Sequence, residues 1–333
     1  MLFVARALEE GAFTGRLARA AARVWEGASA RRVVRAVEFP AHVRVVAVGG
    51  ATLGGSGKTP LAIACARELA RSGARVAFVG HAYRARPGCP RVVRTSDPLQ
   101  LVGDEAFVAA LELESAGVPV VVGPDRASAV ALAARIADVL VLDGVAQTQP
   151  VPATLALLAV DPEEPWGRAV AVPPCGDLRA PVEALLEAAD AVVPVVEDDV
   201  PFPWDTLRGV RVGLVSALAR PHRVLRSLAR RGIVPRVVVR ARDHTPVPTR
   251  ALLQHERGEA SVDVWVATRK CSLHVARPTV AGEGPRKSSL VVLPHAILLP
   301  PWLRGALGLV GRALTPANTG NNLKCNEGLR PHA

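Results

Sequence analysis

Lysine is nearly missing from this 333-residue chain, occurring only at Lys58, Lys270, Lys287 and Lys324, although Lys and Arg together number 41 against 30 Asp and Glu. Arginine therefore carries almost the whole formal net charge of +11, and a pI near 10.5 favours anionic partners: nucleotide, nucleic acid or an acidic membrane surface. Cysteine is sparse as well. Cys65, Cys89, Cys175, Cys271 and Cys325 are odd in number and form no C-x-x-C pair, which argues against a disulfide framework or structural zinc and for a reducing compartment. No run of about 18 apolar residues is present, so no ordinary membrane span is expected. Arg6, Glu9 and Glu10 interrupt the first apolar residues, unlike a cleaved signal peptide. There is no repeat of fixed period and no low-complexity tract. Neither a helix-turn-helix nor aromatic residues interleaved with basic ones are found, so no nucleic-acid partner is expected.

What is present is globular: 50% hydrophobic and 21% charged residues, enough for one large or two ordinary domains. From Leu2 to about Val37, Val4, Leu8, Phe13, Leu17, Ala21, Val24 and Trp25 recur at helical spacing with seven arginines between them. This amphipathic segment, residues 1–40, is either a helix packed on the main domain or an interfacial helix lying on an anionic bilayer. From Arg44 the pattern changes to short β-branched runs alternating with helical segments. Strands are expected at 44–48, 75–79, 118–122 and 139–142, with helices at 60–72, 105–116 and 125–137. Further strands at 155–160, 191–196, 210–215, 237–239 and 262–267, and a helix at 221–231, continue the alternation.

The expected fold class is α/β: a P-loop NTPase-type, mostly parallel sheet with helices on both faces, in two lobes preceded by the N-terminal amphipathic helix. A proline-rich stretch around Pro194 to Trp204 marks the boundary. Residues 41–195 form the P-loop nucleotide-binding lobe, 196–315 a second α/β lobe, and 316–333, rich in Gly and Asn, a mobile tail.

The chemistry centres on Val48 to Pro60, VGGATLGGSGKTP. The run from Thr52 through Leu53, Gly54, Gly55, Ser56, Gly57 and Lys58 to Thr59 ends as a phosphate-binding loop does, but Thr52 occupies the first glycine of G-x-x-x-x-G-K-[ST]. A loop between a buried strand and a helix N-terminus turns several backbone N–H groups one way, and the helix dipole adds partial positive charge. Lys58 would reach the β- and γ-phosphates of ATP and the Thr59 hydroxyl would bind Mg²⁺. The alternative is a glycine-rich turn without a ligand. Val139 to Leu142 then supplies four apolar residues before Asp143, either as a metal-holding strand end or as a plain strand and turn.

The segment GGATLGGSGKTP resembles the tetraacyldisaccharide 4'-kinase family, the lipid A 4'-kinases, whose loop reads T-x-G-G-x-G-K-T-P and likewise begins with threonine. VGDEAFVAA at 102–110, VVVGPDRASA at 120–129, PPCGDLRAPVEALLEAADAVV at 173–193 and VVVRARDHTPVP at 237–248 resemble further family segments in the same order. The resemblance implies transfer of the ATP γ-phosphate to the 4'-hydroxyl of an acylated glucosamine disaccharide. It places the enzyme peripherally at the cytoplasmic face of the inner membrane of a Gram-negative bacterium, against an anionic surface and with no protein partner expected. It makes Asp104 the base and His244 its partner in a dyad, and Glu105 and Asp143 metal-shell groups. From the residues alone, Asp104 is equally the N-cap of a helix beginning at Glu105, and His244 a turn residue before Pro246.

The chain departs from the family at four places. The paired aspartates become Leu142-Asp143, S-R-G-Y becomes Gly80-His81-Ala82-Tyr83, R-E-P becomes Arg179-Ala180-Pro181, and T-E-K-D becomes Thr268-Arg269-Lys270-Cys271. Fewer carboxylates imply weaker Mg²⁺ binding or fewer protein ligands. Two other readings stay open at this point: a P-loop switch or partitioning ATPase with an anionic partner, and a P-loop kinase of a soluble metabolite.

Overall fold

The β-branched runs become strands of two separate sheets. In the computed structural model, which describes residues 7–82, 85–218, 220–241, 246–247, 249–255, 261–275 and 289–312, one compact unit runs 198–296; the other comprises 3–197 together with 297 onward. His244, Tyr83 and the 316–333 tail lie outside the described residues.

The strands of the larger unit are β1 (Val34–Ala36), β2 (Arg44–Gly50), β3 (Val76–Val79), β4 (Arg91–Val92), β5 (Val120–Val122), β6 (Val139–Asp143), β7 (Gln147–Gln149), β8 (Leu155–Val160) and β9 (Ala191–Pro194). Seven of them form one sheet in the order β4-β5-β3-β6-β2-β8-β9, parallel except where β4 runs against β5. β1 and β7 form a separate parallel ribbon. Its longer helices before residue 198 are α1 (Arg16–Arg32), α2 (Lys58–Arg71), α3 (Asp104–Leu113), α4 (Arg126–Ala133) and α5 (Val182–Ala188).

Alternation along β2 explains why that strand is apolar throughout. Val46 and Val48 pack against Leu61, Cys65 and Leu69 of α2 and Ala106 and Ala109 of α3, while Val45 and Ala47 face Ala129, Val130 and Ala133 of α4. A parallel strand covered on both faces has no polar side to show.

The N-terminal segment is not one continuous helix. Gly11, at φ 64°, turns the chain after the helical residues 7–9, α1 starts at Arg16, and the β-branched pair Val33-Val34 carries it into β1. α1 buries only Ala22 and Ser29, leaving Leu17 88% and Val24 76% exposed. Among the described residues no helix is long and apolar enough to cross a membrane.

In the smaller unit, β10 (Val212–Ser216), β11 (Val237–Arg240), β12 (Val264–Thr268) and β13 (Ser289–Leu293) make a second all-parallel sheet, ordered β11-β10-β12-β13, with helix α6 (His222–Arg230). The second lobe, expected to run to 315, gives way after Ala296. The last described helix, α7 (Pro301–Arg312), belongs to the larger unit because its stripe of Leu303, Leu307 and Val310 is buried in the cluster that contains Leu61 and Leu69 of α2. Arg44 ties it down by donating to the Val310 carbonyl.

Candidate active site

The loop after β2 is shaped from two directions. Within it, the buried Thr52 hydroxyl donates to the Gly54 carbonyl at 2.9 Å, a turn hydrogen bond that glycine at this position could not make. From outside, residues 177–179 hold its first half: the Leu53 N–H donates to the Asp177 carbonyl, the Arg179 N–H to the Ala51 carbonyl and Arg179 Nε to the Gly50 carbonyl. The segment 174–181, which the sequence offers only as a resemblance, thus braces the loop. At its far end Gly57 has φ 82°, and a Cβ there would lie 2.7 Å from Val195 Cγ1, so only glycine fits. Lys58 and Thr59 follow as the first two residues of α2, where amides lack a carbonyl one turn earlier.

Beside the loop, β6 pairs with β2 in a register that sets Asp143 opposite Val48. Thr59 Oγ1 donates to Asp143 Oδ2 at 2.7 Å. Asp143 is 2% exposed, and its Oδ1 has no hydrogen-bond partner among the described residues. Burial pushes this carboxyl above the ordinary range; Lys58 pulls it down, Glu105 pushes it up again, and the Thr59 bond and Arg126 pull it down. A buried carboxylate oxygen left open beside a threonine hydroxyl and a lysine has the donor chemistry of a hard divalent cation site. Leu142, where the family has another aspartate, packs with Val45, Ala47 and Leu140 on the opposite sheet face from the Asp143 side chain. The acid lost there is therefore not one that would face Thr59.

Asp104 is 4% exposed and is itself the first residue of α3, with Gly103 at φ 84° in the cap position. Its Oδ1 accepts from the neighbouring Glu105 N–H at 2.8 Å, whereas an N-cap side chain accepts from an amide two or three residues on. The N-cap alternative therefore does not describe it. Glu105 sits within electrostatic reach of Asp143, Arg179 and His81. His81 follows β3, and its imidazole is held below its ordinary pKa by burial first, then by Arg126, with Glu105 acting the other way.

Three groups at the site carry no assigned role in the sequence reading. Arg126 donates to the carbonyls of Val79, Gly80 and Asp143, closing the ends of β3 and β6. Arg179 and His81 join it around the same point. Both arginines stand inside segments quoted for the family resemblance, so the signal was there. Cys271, at the last position of the T-E-K-D segment, is fully buried in the smaller unit, accepts the Ala217 N–H at its Sγ and lies in an apolar cluster.

A glycine-rich loop leaving a central parallel strand, Lys-Thr at the head of the next helix and a buried acid ending the adjacent strand define a P-loop nucleotide-binding α/β protein. Within that class, the model of the tetraacyldisaccharide-1-P 4'-kinase family matches residues 13–203, and the chain belongs to that family. It is 32% identical to the tetraacyldisaccharide 4'-kinase of Acidithiobacillus ferrooxidans over 253 residues, 68% of this chain and 73% of that protein. With the tetraacyldisaccharide 4'-kinase of Methylobacterium radiotolerans it shares 31% identity over 291 residues, 79% of this chain and 86% of that one. A crystal structure of LpxK from Aquifex aeolicus in complex with ATP superposes with a TM-score of 0.61 over 87% of this chain and 96% of that one, at 19% identity, a likeness of fold.

Proposed function

We propose that the protein transfers the γ-phosphate of ATP to the 4'-hydroxyl of a tetraacylated glucosamine disaccharide 1-phosphate, at the cytoplasmic face of the inner membrane. The observation that carries this reading is the pairing of Thr59 with a half-satisfied, buried Asp143 at the phosphate loop of a chain in this kinase family.

The loop amides from Thr52 to Thr59 and the Lys58 ammonium would cradle the β- and γ-phosphates. Thr59 and Asp143, with Glu105 nearby, would hold Mg²⁺, which when bound neutralises charge on the transferring phosphoryl group. A sugar hydroxyl is a weak nucleophile, and Asp104 is the carboxylate assigned to take its proton; His244 is assigned to orient Asp104. Burial of Asp104 keeps water from competing for that carboxylate.

The acceptor is anchored in a bilayer by its acyl chains, so the enzyme must reach the surface. On α1, at about 100° per residue, Leu17, Ala21, Val24, Trp25 and Ala28 form one stripe, exposed at Leu17, Val24 and Trp25; Arg31 and Arg32 of the last turn fall in line with it, whereas Arg16, Arg19 and Arg23 lie on the opposite face. An apolar stripe beside cations suits an anionic leaflet, each cation contributing about 1 kcal/mol near the surface.

The test is incubation of purified protein with radiolabelled ATP, Mg²⁺ and tetraacyldisaccharide 1-phosphate in detergent. Label in the lipid is the expected result; intact ATP binding with no labelled lipid would remove the proposal.

A further inference from the structure

Three arginines converge on the ends of β2 and β6, and none forms an ion pair with a carboxylate among the described residues. Arg126 is spent on three backbone carbonyls and Arg179 on the Gly50 carbonyl. The third is Arg35, exposed and without a side-chain hydrogen bond among the described residues.

Arg35 is held there by backbone geometry. At Gly49, near the end of β2, a Cβ would lie 2.7 Å from the Ala146 Cα, so Ala146 can close directly on the strand only because position 49 is glycine. β7 starts at the next residue, Gln147, and its Thr148 pairs with Arg35 on β1. Val33, one residue before β1, is buried in one cluster with Ala51 of the loop and Ala146. The ribbon is thereby fastened to the root of the phosphate loop on one side, while Arg179 grips Gly50 and Ala51 from another. Electrostatically, the Arg35 charge is felt at Arg126, Arg179 and His81, always as repulsion.

Asp143 offsets the charge of Arg126, and Asp143 and Glu105 that of Arg179; an anion brought by a ligand would do the same for Arg35. The nucleotide phosphates already have the loop amides and Lys58. Arg35 instead belongs to the strand that directly follows α1, the helix with the exposed apolar stripe.

We propose that Arg35 is a phosphate-binding residue of the reaction, receiving the phosphate monoester of the acceptor at the mouth of the site. The inference rests on the transfer proposed above and adds a residue that selects a phosphorylated acceptor.

The experiment compares wild type, Arg35→Ala and Arg35→Lys in steady-state kinetics with acceptors that carry or lack the 1-phosphate, alongside calorimetric titration of ATP and of acceptor. For Arg35→Ala the KM and Kd of the phosphorylated acceptor should rise roughly tenfold, with ATP affinity within about twofold of wild type and partial rescue in Arg35→Lys. With the dephosphorylated acceptor, Arg35→Ala and wild type should be indistinguishable. A tenfold loss of ATP affinity instead would keep Arg35 as a phosphate ligand but make the nucleotide its source. Unchanged affinity for both would overturn the inference. A wild type that binds acceptor without phosphorylating it would sink the transfer reading, while the acceptor titration would still decide the role of Arg35.

Discussion

Thr59 Oγ1 donates to Asp143 Oδ2 at 2.7 Å, joining the first turn of α2 to the end of β6, while the other carboxylate oxygen stays buried and unbonded among the described residues. Burying a carboxyl in this position costs stability. Its folded pKa lies above its unfolded value, chiefly through burial. The stabilisation it provides is therefore full only below the unfolded pKa and is lost as pH rises through the folded one. Asp143→Asn should lower kcat by roughly 100-fold or more. Without ligands at pH 7 it should melt at the same temperature as wild type or about 2–4 °C higher. Calorimetric melts across pH check this; a variant less stable than wild type at pH 7 would show that the carboxylate is structural.

Gly57→Ala puts a side chain where φ is 82° and Val195 is already in contact. The left-handed backbone alone costs roughly 1–2 kcal/mol, and relief of the clash must move the loop. ATP affinity should fall about tenfold or more, measured by nucleotide titration. Wild-type affinity would contradict the described course of the loop.

Asp104→Asn keeps an oxygen that can accept the Glu105 N–H and so preserves the start of α3. Phosphoryl transfer should drop by about 10²–10⁴-fold while ATP affinity and melting temperature stay near wild type. A parallel loss of ATP binding would return Asp104 to a purely structural role.

Leu17→Glu and Val24→Glu alter the two most exposed apolar residues of α1, which touch little of the folded body. Each should cut binding to anionic vesicles by roughly tenfold, read by cosedimentation, with no change in melting temperature. Undiminished binding would mean that the apolar stripe does not enter the bilayer.

The larger sheet was legible because its strands carry a strong local signal. β8 spans the expected residues 155–160, and β2, β3, β5 and β6 fall within two residues of the expected ends, since a strand buried on both faces must be written in continuous apolar letters. The phosphate loop was legible for a similar reason: its geometry demands glycine and leaves a motif. Other parts depend on partners distant in the chain. β13 has no polar alternation to announce it, and β1 and β7 are three residues each, formed by each other. α7 carries three glycines and is helical because Leu303, Leu307 and Val310 find α2. Within the site, Lys58, Thr59 and Asp143 followed from local pattern, whereas the placement of Arg35 and Arg179 arises from pairings more than a hundred residues apart.

The return of the chain at Ile297 has a consequence for the order in which the protein can be made. In topology the smaller unit is an insertion, since 198–296 interrupts a body that resumes with 297 onward. As the polypeptide emerges, β2, the phosphate loop and α2 are made before the smaller unit, but Leu303, Leu307 and Val310, which pack with Leu61 and Leu69 of α2, leave the ribosome only after it. The nucleotide lobe is thus started before the smaller unit and sealed after it, and a nascent chain stopped between the two lacks the contact of α7 with α2.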